Sequence, residues 1–221
     1  MKEFAQYFDH TLLKADATED DIIKLLKEAR EYQFCSVCVN GCHVSLARKF
    51  LGSCGVKVAT VIGFPLGAMS TAAKLAEADD ALNNGADELD MVINIGALKG
   101  GHTNHVLSEI TQLASLCHQR GTRLKVIIET CLLTKEEIVA ACQLAKEANA
   151  DFVKTSTGFS TGGATVEDIR LMRNTVGSEM QIKASGGIRT LTDAQAMIEA
   201  GADRLGCSAS AAILQEYQKQ K

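Results

Sequence analysis

Short apolar runs rich in β-branched residues alternate along the chain with longer stretches of helical period. The short runs predict strands at 8–12 (FDHTL), 35–40 (CSVCVN), 56–62 (VKVATVI), 88–94 (ELDMVIN), 123–129 (RLKVIIE), 151–156 (DFVKTS), 181–185 (QIKAS) and 203–207 (DRLGC). Several intervening stretches open on helix-start signals. Thr134 with Glu137 and Thr192 with Gln195 have capping-box spacing, and Thr18 with Asp21 and Thr165 with Asp168 carry a weaker form of it. An internal echo supports the same unit: NGADELDMV, ANADFVKTS and AGADRLGCS each place an Ala-Asp pair just ahead of a strand. Recurring strand–helix units with no compositional break predict a parallel sheet in one domain over residues 1–221. Eight units fit a closed (β/α)8 barrel. An open doubly wound sheet is the alternative, but neither its Gly-rich dinucleotide fingerprint nor a P-loop follows the early strands.

Side-chain alternation then sorts the polar residues. Leu89, Met91 and Ile93 share one face of their strand, opposite Asp90 and Asn94; Leu124, Val126 and Ile128 oppose Lys125 and Glu129. Lys154 intrudes between Val153 and Thr155, and Lys183 between Ile182 and Ala184. In a barrel the apolar face packs on the helices, so the polar sets point inward. Asp90, Asn94, Lys125, Glu129, Lys154 and Lys183 should therefore converge inside. A self-neutralising buried ion network is one reading of such a cluster, though apolar replacements often serve stability as well. Catalysis is the reading preferred here, because perturbed titratable groups concentrate at active sites.

Composition narrows the field. Hydrophobic residues make up 46% and the formal net charge is -4, with no basic block, so nucleic acid is not the expected partner. The opening MKEFAQYFDHTLLK lacks a signal-peptide core and no apolar run approaches membrane-spanning length; a cytoplasmic, membrane-free protein is expected. Its eight cysteines are then expected to be reduced. Cys35 and Cys38 have C-x-x-C spacing, but residues three apart on a strand face opposite sides, and His102 and His105 lack an obvious third ligand. Neither a metal nor another cofactor is expected.

Two close lysines suggest the chemistry. A lysine beside a like charge and away from water loses its proton more readily, and the neutral amine attacks a carbonyl to form a Schiff base. The protonated imine accepts electrons when a neighbouring carbon–carbon bond breaks, and Asp90 is placed to shuttle protons. For Lys183 to depress Lys154, Asp90 should lie nearer Lys183. After the last two strands, SGGIRT (185–190) and GCSAS (206–210) offer glycine-rich loops and the start of a helix, a common barrel site for phosphate.

These segments together resemble the deoxyribose-phosphate aldolase family. The resemblance runs nearly end to end: DHTLL (9–13), KVIIET (125–130), FVKTSTGF (152–159), KASGGIRT (183–190) and GCSAS. It implies a class I aldolase on a (β/α)8 TIM barrel that cleaves 2-deoxy-D-ribose 5-phosphate reversibly to D-glyceraldehyde 3-phosphate and acetaldehyde. Carried over by motif, Lys154 forms the Schiff base, Lys183 is the neighbouring cation, and Asp90 relays protons with a water. Asp9 and Cys38 match pocket-lining positions, although a barrel-filling role suits Cys38 equally. Thr157, Gly158, Gly186, Gly187, Gly206 and Ser208 match the substrate- and phosphate-holding loops. Two departures stand out. Some members end in a tyrosine that assists proton transfer, and no motif carries that role onto Tyr217 in QEYQKQK; Cys207 replaces a small non-thiol residue. Another phosphate-binding barrel aldolase or isomerase, or a non-catalytic sugar-phosphate sensor, remains an alternative. A homo-oligomer is compatible with the sequence, which does not fix the state.

Overall fold

The computed structural model describes residues 3–220. Eight parallel strands, β1 (Phe8–Leu12), β2 (Ser36–Val39), β3 (Lys57–Ile62), β4 (Glu88–Val92), β5 (Arg123–Ile127), β6 (Phe152–Lys154), β7 (Gln181–Ser185) and β8 (Arg204–Cys207), close into a barrel in sequence order. Around them lie α1 (Glu19–Tyr32), α2 (Val44–Leu51), α3 (Thr71–Asn83), α4 (Ile95–Lys99), α5 (Thr103–Gln119), α6 (Lys135–Glu147), α7 (Val166–Val176), α8 (Leu191–Ala200) and α9 (Ser210–Lys219). The closed barrel replaces the open-sheet alternative, since β1 pairs with both β2 and β8.

The predicted alternation holds. Leu89, Met91, Ile93, Leu124, Val126, Ile128, Val153 and Ile182 belong to the apolar shell between strands and helices. Inside the barrel a separate small cluster of Leu13, Cys38, Ala59 and Val61 fills one part, and another part holds charged side chains packed on the Phe152 ring. Burying a large aliphatic side chain contributes roughly 1.5–3 kcal/mol, so the shell supplies the stability that lets the interior hold charge.

The Ala-Asp echo has a physical cause. Asp87, Asp151 and Asp203 each stand just before a strand, and each carboxylate accepts the backbone N–H of the preceding strand: Val58 at 2.8 Å, Leu124 at 2.9 Å and Ile182 at 2.8 Å. Their own N–H groups return bonds to the carbonyls of the same three residues. Each Asp is held in turn by a cation or imidazole from a helix or its end, Arg48, His118 and Arg173 respectively. The motif therefore clips neighbouring strands into register at the N-terminal end of the barrel.

Helix starts follow the sequence with one shift. Thr18–Asp21 and Thr134–Glu137 form complete capping boxes, and Thr165 caps α7 by accepting from the Asp168 N–H. At α8 the box is Thr190 with Asp193, two residues before the expected Thr192–Gln195 pair, because Thr190 is the residue still in extended conformation where the helix begins. Strand ends are shorter than expected for a similar reason. β4 stops at Val92 and Asn94 becomes the N-cap of α4, its Oδ1 accepting from the Ala97 N–H at 3.0 Å.

Candidate active site

Strand register brings the charged side chains together. Asp90 on β4 lies opposite Lys125 on β5, and Lys154, Lys183 and Arg204 are in register across β6, β7 and β8. Asp90 Oδ2 accepts from Lys154 Nζ at 2.8 Å and from Lys183 Nζ at 2.7 Å, while its Oδ1 accepts from Lys125 Nζ at 2.8 Å. Asp90 thus sits equally close to both lysines, contrary to the expectation that it would favour Lys183. The asymmetry comes from Asp9, whose Oδ2 is 2.5 Å from Lys183 Nζ.

That difference separates the two amines. Burial pushes Lys183 down, but Asp9 and Asp90 outweigh it and raise it above its ordinary value. Burial also pushes Lys154 down; Asp90 opposes this, the Lys183 ammonium assists it, and the outcome is a lowered pKa. Burial pushes Asp90 up, yet Lys125, Lys154 and Lys183 hold it well below the usual carboxylate range. The cluster therefore offers an ionised carboxylate, a firmly protonated lysine and a lysine predisposed to be neutral.

A cavity of about 250 Å³ opens above this cluster at the C-terminal end of the barrel. Lys154 lines it, together with Thr157, Gly158, Gly186, Gly187, Gly206 and Ser208, so all but two of the sequence-derived substrate positions meet at one wall. Asp9 and Cys38 are the exceptions. Both are fully buried and absent from the cavity lining, Asp9 held by Lys183 and Arg204 and Cys38 packed with Leu13, Ala59 and Val61. Cys38 is thus a barrel-filling side chain, and burial raises its thiol pKa.

The loops fit closely. Gly186 has φ +80°, and a Cβ on Gly163 would stand 2.3 Å from the Gly186 carbonyl oxygen, so the β6–α7 and β7–α8 loops meet backbone to backbone. The Ala164 N–H donates to the carbonyls of Ser185 and Gly186, both at 3.0 Å. α9 opens beside Ser208 and its N-cap residue, Ala209, supplies no side-chain cap. Its first N–H groups can therefore serve an anion in the cavity. The exposed side chains of Lys14 and Arg189 stand at the same wall, and exposed Phe159 packs edge-on against Phe64 at the rim.

One of the inward-facing carboxylates is placed differently from expectation. Glu129 is buried but turns away from the lysines, accepting from the Thr157 N–H at 3.2 Å and from the Thr157 hydroxyl. It adopts a left-handed backbone (φ 56°) where β5 gives way to a turn, which redirects its side chain to the loop that Thr157 carries. Tyr217 stacks on Phe4 with ring centroids 4.3 Å apart, beside the segment that leads into the N-terminal end of β1 and so away from the cavity. Among the described residues, no three His, Cys, Asp or Glu side chains are grouped to hold a metal ion. Sequence reasoning missed Glu88 and Arg204, both buried within the same network. Glu88 could have been found, because it lies two residues before Asp90 and so shares its face.

A closed parallel barrel with buried lysines on a shared carboxylate, under a loop-lined cavity at its C-terminal end, has the architecture of a (β/α)8 enzyme. Comparison with known proteins makes this specific. Residues 4–216 match the DeoC/LacD family aldolase. A deoxyribose-phosphate aldolase of Thermococcus gammatolerans is 59% identical over 215 residues, 96% of each chain, and one of Streptococcus pneumoniae is 58% identical over 95% of this chain and 94% of its own. Among solved structures, the tetrameric deoxyribose phosphate aldolase of Aeropyrum pernix superposes with a TM-score of 0.92 at 33% identity, covering 99% of this chain and 92% of that one. The chain belongs to the DeoC/LacD aldolase family.

Proposed function

We propose that the protein cleaves 2-deoxy-D-ribose 5-phosphate reversibly to D-glyceraldehyde 3-phosphate and acetaldehyde through a Schiff base on Lys154. The observation that carries this reading is the unequal pair: two buried lysines share one Asp90 oxygen, yet of the two only Lys154 is pushed toward the neutral form and only Lys154 lines the cavity. Relatives sharing more than half of this sequence bear that activity in their names.

In the cleavage direction the neutral Lys154 amine attacks the C1 aldehyde, and loss of water gives a protonated imine. The C3 hydroxyl then gives up its proton, the C2–C3 bond breaks, and its electron pair passes into the imine to form an enamine. D-Glyceraldehyde 3-phosphate leaves; protonation of C2 and hydrolysis release acetaldehyde and restore the amine. Asp90, with a water molecule, relays these protons, and it is freed from one ammonium whenever Lys154 is neutral. Lys183 keeps the adjacent positive charge. The Gly186–Gly187 and Ser208 loops, with Thr157, Gly158, Gly206 and the uncapped start of α9, hold the phosphate and place C1 over Lys154.

The same reading takes the chain as a single catalytic domain, matched by the family over nearly its whole length. A homo-oligomer is part of it, since the Aeropyrum pernix relative is a tetramer. A cytoplasmic location follows from the substrate, because a charged sugar phosphate is retained inside the cell. The direct test adds borohydride with acetaldehyde. The enzyme should be inactivated with an ethyl group on Lys154 by peptide mapping, and a coupled assay for glyceraldehyde 3-phosphate should show turnover before trapping. Modification elsewhere, with Lys154→Ala still active, would remove the assignment.

A further inference from the structure

The Schiff-base reading leaves part of the buried charge unused. Below Lys154, Asp90 and Lys183, the interior also holds Asp9, Glu88, Lys125 and Arg204, all buried. Traced through their contacts, six of the seven groups form a closed ring. Arg204 Nη1 is 2.6 Å from Asp9 Oδ1 and 3.2 Å from Glu88 Oε2. Lys125 Nζ bridges Glu88 at 2.6 Å and Asp90 at 2.8 Å; Lys183 Nζ bridges Asp90 at 2.7 Å and Asp9 at 2.5 Å. Carboxylate and cation alternate all the way round: Asp9, Arg204, Glu88, Lys125, Asp90, Lys183. The ring is neutral by itself. Lys154 is attached to it at Asp90 and, among the described residues that are buried against the ring, is the amine in excess.

We propose that Arg204 and Glu88, neither of which lines the cavity, are positioning residues for the reaction: they close the ring so that its charges cancel, leaving Lys154 as the group that sheds its proton. This rests on the Schiff-base reading and extends it to the closed end of the barrel. Burial opposes each carboxylate, but Arg204, Lys183 and Lys125 hold Asp9 far below its ordinary range, and Lys125 and Arg204 hold Glu88 at about 2. Lys125 and Arg204 are correspondingly raised against burial. The ring thus keeps its charges at neutral pH, and only Lys154 moves the other way. The remaining groups nearby do not upset the count. The Cys38 thiol, near Lys183 and Lys154, and the Cys35 thiol near Arg204 are both pushed up by burial and stay neutral, and Glu129 is turned to Thr157. Lys57 reaches Glu88 at 3.4 Å from a partly exposed position, where water screens it. The Phe152 ring lies beneath both Arg204 and Lys125, which fixes the two cations without adding charge.

Removing Arg204 leaves the ring with one negative charge in excess, which favours the protonated form of Lys154. Removing the Glu88 charge has the opposite sense, and removing both restores neutrality. The experiment measures the rate of borohydride trapping at Lys154 with acetaldehyde as a function of pH, in wild type, Arg204→Met, Glu88→Gln, the double variant and Arg204→Lys. The midpoint for Arg204→Met should rise by about one pH unit, a tenfold loss of free amine at neutral pH that is recovered in alkali. Glu88→Gln should not raise it, and the double variant and Arg204→Lys should return it to the wild-type value. A purely structural ring would lower the amplitude and leave every midpoint in place; that result, or a double variant displaced as far as Arg204→Met, overturns the proposal. If Arg204→Met does not fold, an upward shift in Glu88→Gln or in the double variant overturns it equally. Wild-type trapping at another residue would instead refute the Schiff-base reading itself, and is seen before any variant is compared.

Discussion

Replacing Lys183 with Met tests the electrostatic core of the mechanism. The two ammonium nitrogens lie 2.8 Å and 2.7 Å from the same Asp90 oxygen. Their separation is therefore on the order of 5 Å, and at an effective dielectric of ~20 their repulsion is ~3 kcal/mol, or ~2 pK units. Methionine keeps the length of the side chain and removes the charge. It also leaves Asp9 and Asp90 each with one cation fewer, and both changes favour a protonated Lys154. Lys154 should titrate at least ~2 units higher, leaving roughly 10²-fold less neutral amine at pH 7. The assay is kcat/KM on deoxyribose 5-phosphate from pH 6 to pH 10, coupled to detection of glyceraldehyde 3-phosphate.

The ascending limb should move to higher pH by that amount, with activity regained as pH rises. Lys154→Met, which lacks the proposed nucleophile, should regain none. Breaking a buried pair by removing one partner costs ~3–5 kcal/mol of stability, so the assay temperature must lie well below the variant's unfolding transition. Full activity of Lys183→Met at pH 7 would refute the charge coupling. So would a lowered rate with an unmoved limb, because Lys183 would then be acting by contact rather than by field.

Two further outcomes concern the cavity wall. Free deoxyribose should be cleaved with a kcat/KM lower by a factor on the order of 10² or more than the 5-phosphate, since the loops after β7 and β8 would have no anion to hold; equal efficiency would remove the phosphate role from Gly186, Gly187 and Ser208. Gly163→Ala would place a methyl carbon 2.3 Å from the Gly186 carbonyl oxygen. Backbone must move to admit it, so KM for the phosphorylated sugar should rise severalfold with a stability loss on the order of 1–3 kcal/mol, and an unchanged KM would show that this loop contact does not shape the site.

Much of the site was legible because a strand has period two. A lysine between Val153 and Thr155, or between Ile182 and Ala184, must face away from an apolar shell, and a closed barrel leaves it one direction to go. The pattern failed where the chain stops being a strand. Asn94 and Glu129 have the parity of inward-facing residues, but β4 and β5 end before they are reached. One then caps a helix and the other turns up to Thr157. Arg204 failed for another reason: its partner Asp9 lies 195 residues away in the chain, and only closure of β8 onto β1 brings them together. Local period tells which face a residue takes, not which residue it will meet across the barrel.

The choice between the two lysines depends on such a meeting. Lys154 and Lys183 are in register, flanked by similar residues and bound to the same oxygen of Asp90, so neither sequence context nor Asp90 distinguishes them. Asp9 does, and it reaches only Lys183 because of what lies between. β8 separates β7 from β1, and the residue of β8 in register with Asp9 is Gly206. A Cβ there would stand 2.9 Å from Lys183 Cε, so the absence of a side chain is what lets the Lys183 stem cross β8 and place its ammonium against Asp9. No comparable path brings Lys154 to Asp9. Gly206 thus also admits the contact by which Asp9 raises Lys183 and not Lys154, the asymmetry on which the proposed nucleophile role of Lys154 rests.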